Sequence, residues 1–196
     1  MKKIAFWVIS TLVIMNVCAG EPSKAANETP LPKAPEGYRW ERFREVQSAF
    51  LCPTNWHRTE KAVASSHTYA LSKEPVKTNG LFETGLTLQV IKGLQKKKGI
   101  APSLAATKMG EAVLKSKENK KLDMQDVSSG PFKAFFIRYR NAPPPAKPIV
   151  IHQVYISNDK KDTLFIVTFE APEKFWDEAW KIGEPMVKMF LIDDEY

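Results

Sequence analysis

The chain of 196 residues is poor in the groups from which most catalytic sites are built. It has two cysteines, Cys18 and Cys52, and three histidines, His57, His67 and His152. No two histidines stand three or four residues apart, as ligands on one helical face would, and there is no C-x-x-C pair, so no metal site is indicated. Nine glycines are present, and none belongs to a Walker loop, a dinucleotide fingerprint or a G-x-S-x-G elbow. No cofactor is implied. The run Ile4–Ala19 is uncharged and mostly apolar, but its 16 residues fall short of the ~20 that a helix needs to cross a bilayer core.

What the beginning does contain is the three-part layout of a secretory leader. Lys2 and Lys3 precede the apolar run, and small and polar residues follow it. Val17 and Ala19 occupy positions −3 and −1 of a cut between Ala19 and Gly20, which makes 1–19 a signal peptide. Two alternatives stay open: lipidation of Cys18 as in bacterial lipoproteins, and an uncleaved N-terminal anchor. Residues 20–36, GEPSKAANETPLPKAPE, hold four prolines, no aromatic and one large aliphatic, Leu31. They read as a disordered tether, since so little apolar surface cannot offset the entropy of ordering. Residues 37–196 make one domain of ordinary size. After processing Cys52 is the sole cysteine, so core packing and not a disulfide must hold the fold. The formal charge of +7 becomes +5 when Lys2 and Lys3 leave.

Periodicity places strands at YRWERF, SAFLCP, HTYAL and GLTLQVI, where Leu86, Leu88 and Val90 share one face. Pro102 and Ser103 open a helix whose apolar stripe is Ala105, Met109, Ala112 and Val113. Three long strands follow in GPFKAFFIRYR, PIVIHQVYIS and DTLFIVTFEA. NDKKD has the composition of a hairpin loop, and NAPPPAKP lacks the donors of a ladder. A closing helix carries Trp176, Ala179, Gly183, Met186, Val187 and Phe190 in phase, with Gly183 and Pro185 expected to kink or split it. The fold class is therefore α+β, a central mostly antiparallel sheet with a mid-chain helix and a C-terminal helix packed on it.

FLCPTNW (Phe50, Pro53, Trp56), GLTLQVI, LFIVTFEAP and FWDEAW...MVKMF, in this order around the mid-chain helix, resemble the PsbP-like fold family. That group includes the photosystem II subunit PsbP, Ran-binding factors of the Mog type and bacterial exported proteins of unknown role. The resemblance spans about residues 38–192 and implies the fold. Function does not travel with it, and neither the Ran-binding surface nor the photosystem-docking segments find a match.

Cys52 and His57 lie close enough in sequence to suggest a nucleophile and its base, yet no cationic setting or helix N-terminus is signalled to lower the thiol pKa. Cys52 before Pro53 reads as a packed strand end turning toward Trp56. His152, in register with Val150, Val154 and Ile156, reads as a core histidine or a polar point on a half-exposed face. The lysines Lys96, Lys97, Lys98, Lys120 and Lys121 form a candidate patch for an anionic partner, the first three in a strand-to-helix loop and the last two late in the first helix. The leading functional reading is an exported, non-enzymatic accessory or binding domain of the bacterial envelope, periplasmic or secreted. Its partner would be an envelope protein or anionic component, with membrane contact through the lysines or a retained N-terminus; nucleic acid fits poorly with export. The alternatives are an envelope hydrolase with an unrecognised site and a lipid-anchored structural protein. A concave pocket with convergent polar groups favours the hydrolase, and a broad apolar or basic face favours the others.

Intact mass spectrometry checks the processing. The expected mature protein starts at Gly20 and carries no acyl chain; a mass for diacylated Cys18 or for the unprocessed chain would contradict this.

Overall fold

The computed structural model describes residues 3–6, 30–63, 66–76 and 82–193. The expected processing site at Ala19 and Gly20, with Cys18, lies outside them. The strands are β1 (Lys3–Phe6), β2 (Tyr38–Phe43), β3 (Ser48–Pro53), β4 (His57–Val63), β5 (Ser66–Ser72), β6 (Gly85–Lys92), β7 (Asn119–Asp126), β8 (Lys133–Asn141), β9 (Ile149–Asn158), β10 (Thr163–Pro172) and β11 (Phe190–Asp193). The helices are α1 (Leu94–Lys98), α2 (Pro102–Lys115) and α3 (Trp176–Lys188). The expected α+β class is what forms, with two antiparallel sheets. Seven strands run in the order β4-β5-β6-β10-β9-β8-β7, and four in the order β1-β11-β3-β2.

Alternation along the central strands divides the interior in two. On β10, Phe165, Val167 and Phe169 face the four-stranded sheet and α3, together with Leu86, Leu88 and Val90 of β6 and Val154 and Ile156 of β9. Leu164 and Ile166 face the other way, with Ile137, Tyr139, Ile151 and Tyr155, and meet Ala105 and Ala106 of α2. A strand buried on both faces must read as a continuous apolar run, and LFIV does. The first core includes Phe50, Leu51, Cys52 and Trp56, so the SAFLCP strand turns at Pro53 and lays Trp56 on the interior, 6.5 Å from the Phe169 ring.

The NDKKD segment is more than a connector. Asp162 accepts from the backbone N–H groups of Gln95 (2.8 Å) and Lys96 (3.0 Å), satisfying donors at the start of α1. Asp159 accepts from Ser103 N–H (2.8 Å) and Ser103 Oγ (2.7 Å), and from Lys133 Nζ at 3.0 Å. One hairpin thus sets where both helices begin. Burial raises the Asp159 pKa, but the bonds from Ser103 and Lys133 together outweigh it and leave the carboxyl below its ordinary value.

Five expectations require correction. Lys120 and Lys121 lie on a strand, β7, and not late in a helix: NKKLDMQD, with its Leu122 and Met124 exposed, is recruited by β8, with a register shift at Lys121/Asp123. KGLQKKKG holds a short helix in place of a plain loop, because Asp162 caps it. The terminal helix stops at Lys188, and Phe190 begins β11, where its ring stacks on Phe50 at 5.1 Å. Pro185 lies in the last turn of α3 and does not split it. Residues 30–36 of the expected tether lie on the domain: Ala34 packs on the first core, and Trp40 Nε1 donates to the carbonyl of Pro32 at 2.7 Å. No helix of the described residues is long and apolar enough to cross a membrane.

Replacing Asp159 with alanine should cost about 0.5–2 kcal/mol at neutral pH, the usual range for a lost cap. The folded pKa is depressed, so this stabilisation is full above the unfolded value of ~3.9 and is lost as pH falls through the folded value. Urea unfolding at neutral and acidic pH checks it; a difference from wild type that persists unchanged in acid would contradict the assignment.

Candidate functional site

The face of the large sheet beneath α2 carries polar side chains where the strands are most central. Thr87, Thr168 and Gln153 form one row across β6, β10 and β9, and Gln89, Ile166 and Tyr155 form the next. The helix does not cover this face evenly. Its buried side is Pro102, Ala105, Ala106 and Gly110, which differs from the expected stripe by leaving Met109 and Ala112 outside. The reason is Gly110, where a Cβ would stand 2.9 Å from Phe135 Cε2 and 3.1 Å from Ile137 Cδ1. At this point the helix backbone rests directly on β8, and its other flank stands away from β6.

A groove of about 380 Å³ fills the gap, floored by the two polar rows and walled by Met109, Ala112, Val113 and Tyr139. Its size is that of a small-molecule site. Tyr155 Oη donates to Gln153 Oε1 at 2.8 Å, and Gln153 Nε2 donates to Thr168 Oγ1 at 3.1 Å. Gln89 Nε2 donates to Ser66 Oγ at 3.3 Å. Burial, then the charge of Glu170, pushes the Tyr139 phenol up to about 12; burial, then Tyr139, pushes Tyr155 up as well. Both stay neutral donors at physiological pH. Glu170, one step beyond Thr168 on the same strand face, has its pKa raised by burial. The lining offers hydroxyls, carboxamides and apolar walls, and contains no charged side chain, cysteine or histidine.

The residues singled out from sequence lie elsewhere. Cys52 is wholly buried in the first core with its pKa raised to about 11, by burial foremost, while His57 is exposed on β4. Fully buried and protonated, the thiol is not a nucleophile. His152 is a core histidine. Its ring lies 4.6 Å from Phe136 and 4.7 Å from Trp180, and burial, then Arg138 and Lys188, drive its pKa down to about 3. Its Nδ1 and that of His67 have no protein partner. Among the described residues no three His, Cys, Asp or Glu side chains stand close enough to hold a metal ion.

The five lysines separate into two groups. Lys96, Lys97 and Lys98 sit on α1, beside the hairpin that joins β9 to β10. Lys120 and Lys121 lie on β7, whose first residue, Asn119, bonds to the carbonyl of Val113 near the far end of α2. The 14 residues of α2 span ~21 Å at 1.5 Å per residue, well beyond a Debye length of ~8 Å. The two groups are electrostatically independent.

Sequence reasoning missed the groove residues. The signal was present in Thr87 and Gln89 within GLTLQVI, Gln153 within IVIHQVY and Thr168 within LFIVTFE. Each is a polar residue inside a strand otherwise apolar enough to be central.

No protein-family model and no curated protein sequence matches the chain. Solved structures do match it. The solution structure of cyanobacterial PsbP (CyanoP) from Synechocystis sp. PCC 6803 superposes with a TM-score of 0.52 at 8% identity, covering 86% of this chain and 100% of that one. The Ran-binding protein Mog1p of Saccharomyces cerevisiae gives 0.47 at 12% identity over 78% and 94% of the two chains. LpqN of Mycobacterium tuberculosis, involved in cell envelope biogenesis, gives 0.48 at 12% over 74% and 83%. The chain has the PsbP-like fold. At these identities the likeness is one of architecture, and function must be argued from the site.

Trp56→Ala should cost about 3–5 kcal/mol and Cys52→Ala about 1–2 kcal/mol, since each trims a side chain packed in the first core. Denaturant unfolding tests both; loss of biological function in a stably folded Cys52→Ala protein would contradict the packing role.

Proposed function

We propose that this protein is an exported, non-enzymatic accessory domain of the bacterial cell envelope, and that it binds its ligand in the groove beneath α2. The observation that carries the reading is the floor of that groove: hydroxyls and carboxamides held in place by one another, with phenols kept neutral. Such a surface recognises by hydrogen bonding and has no group positioned to transfer a proton near neutral pH. Export rests on the charged start, apolar run and small-residue cut at the N-terminus. The lysines of α1 are a separate, salt-sensitive surface for an anionic envelope component.

The hydrolase reading has one observation in its favour, the Glu170 carboxyl, raised by burial and one step along the strand from Thr168. It lacks a nucleophile or second carboxylate in the lining to work with.

A photoreactive amino acid in place of Met109, on the groove wall, tests the binding reading in the living cell, with Phe175 at the other side of the sheet as control. The expected result is an adduct from position 109 and none from 175, in the envelope fraction. Recovery of the protein in the cytoplasm, or equal labelling from both positions, would overturn it.

A further inference from the structure

The groove presents a pattern of donors and acceptors that narrows its ligand. A carboxamide has two N–H donors and an oxygen that accepts twice. Tyr155 takes one of the acceptor positions of Gln153 and Thr168 takes one of its donors. What remains is one N–H and one lone pair on a group whose orientation is already fixed at both ends. A secondary amide is the complement, accepting with its carbonyl and donating with its N–H. Thr168, having accepted, still has its own O–H to give, and Thr87 lies beside it in the row.

From this geometry we infer that the groove beneath α2 binds an uncharged N-acylated sugar, with the acylamino group on Gln153 and the ring hydroxyls on Thr87 and Thr168. The inference rests on the binding role proposed above. A sugar ring has a polar rim and an apolar face, and the groove has a polar floor with Met109, Ala112, Val113 and Tyr139 along the wall. An ionised ligand would leave water for a lining with no charge to meet it, which is costly. An extended peptide gains its affinity chiefly by pairing with a free sheet edge. Here the floor is the middle of a sheet, and the main-chain groups of β6, β10 and β9 are already engaged with one another.

The experiment titrates the purified protein with di-N-acetylchitobiose and with cellobiose, which has the same linked rings with hydroxyls in place of the acetamido groups, following backbone amide resonances by NMR. The expected outcome is saturable shifts at Thr87, Gln153 and Thr168 with the first sugar and binding about tenfold weaker with the second, the loss of roughly one well-made hydrogen bond. Gln153→Leu should weaken the first sugar by about tenfold and bring it level with cellobiose. Should that variant not fold, Thr87→Val, which keeps shape and removes the hydroxyl, should weaken both sugars alike. Equal affinity for the two sugars, saturation by N-acetylalanine methylamide without a sugar, or no binding by either sugar would each overturn the assignment. If the sugars are silent while position 109 still yields its envelope adduct, the ligand class fails and the binding role stands.

Discussion

The Phe169 ring lies against the backbone of α3 in the space that Gly183 leaves open, and the rest of the domain is arranged around that contact. A Cβ at position 183 would stand 2.6 Å from Cε1 of the ring, so no side chain can be accommodated there without displacing the helix. Trp176 and Trp180, stacked on each other at 5.3 Å, meet the same ring edge-on at 5.9 and 5.8 Å, and Trp56 approaches from the SAFLCP turn. Arg138 lays its guanidinium 4.2 Å over Trp180, a cation–π contact that extends the cluster to β8. Through Phe169 the large sheet is joined to α3, and Met186 and Val187 of the same helix share the first core with Phe50 and Phe190 of the small sheet.

The second helix is held by quite different forces. Asp159 and Asp162 fix the start of α1 and α2 through backbone hydrogen bonds, while Gly110 lets α2 settle on Phe135 and Ile137. A helix pinned at its beginning, packed over β9 and β10 and resting on β8 at Gly110, leaves β6 largely uncovered. The uncovered strip of sheet must be compatible with water, which is why threonine and glutamine occupy inner positions of β6, β9 and β10. The groove is thus a direct result of where the helix can rest. Its polar floor is the sheet surface that this placement leaves wet.

Much of the fold was legible because the long strands and α3 carry their own periodicity. LFIVTFE reads as a strand whatever its neighbours do, and Trp176, Ala179, Gly183 and Met186 mark a helical face. The elements that escaped are those whose structure comes from a partner. β7 mixes charged residues with the exposed Leu122 and Met124 and becomes a strand because β8 offers it a ladder, and its bulge and lysines are devices by which an edge strand avoids further pairing. In β11, FLID is too short to signal itself and is defined by β3 and by the stacking of Phe190 on Phe50. The grouping of the lysines was illegible for a related reason. Residues 96–98 and 120–121 are near in sequence, and only the length of α2, lying between them, places them apart. The groove was partly legible, as polar residues inside apolar strands, but its depth depends on Gly110, whose role appears only when β8 is beneath it.

One strand stands apart from this logic. The backbone of Lys3–Phe6 pairs with β11, Lys3 opposite Asp193 and Phe6 opposite Phe190, yet the sequence assigns these residues to a leader. Phe190 and Ile192 are buried in the first core, and β11 keeps its ladder with β3 on the other side. Cleavage between Ala19 and Gly20 would take β1 away and leave a four-residue edge, the short kind of edge that proteins tolerate without aggregating. Since β11 also pairs with β3, its ladder on that side would survive such a cleavage, and the described residues of the second core and of the groove lie on the large sheet, α1 and α2.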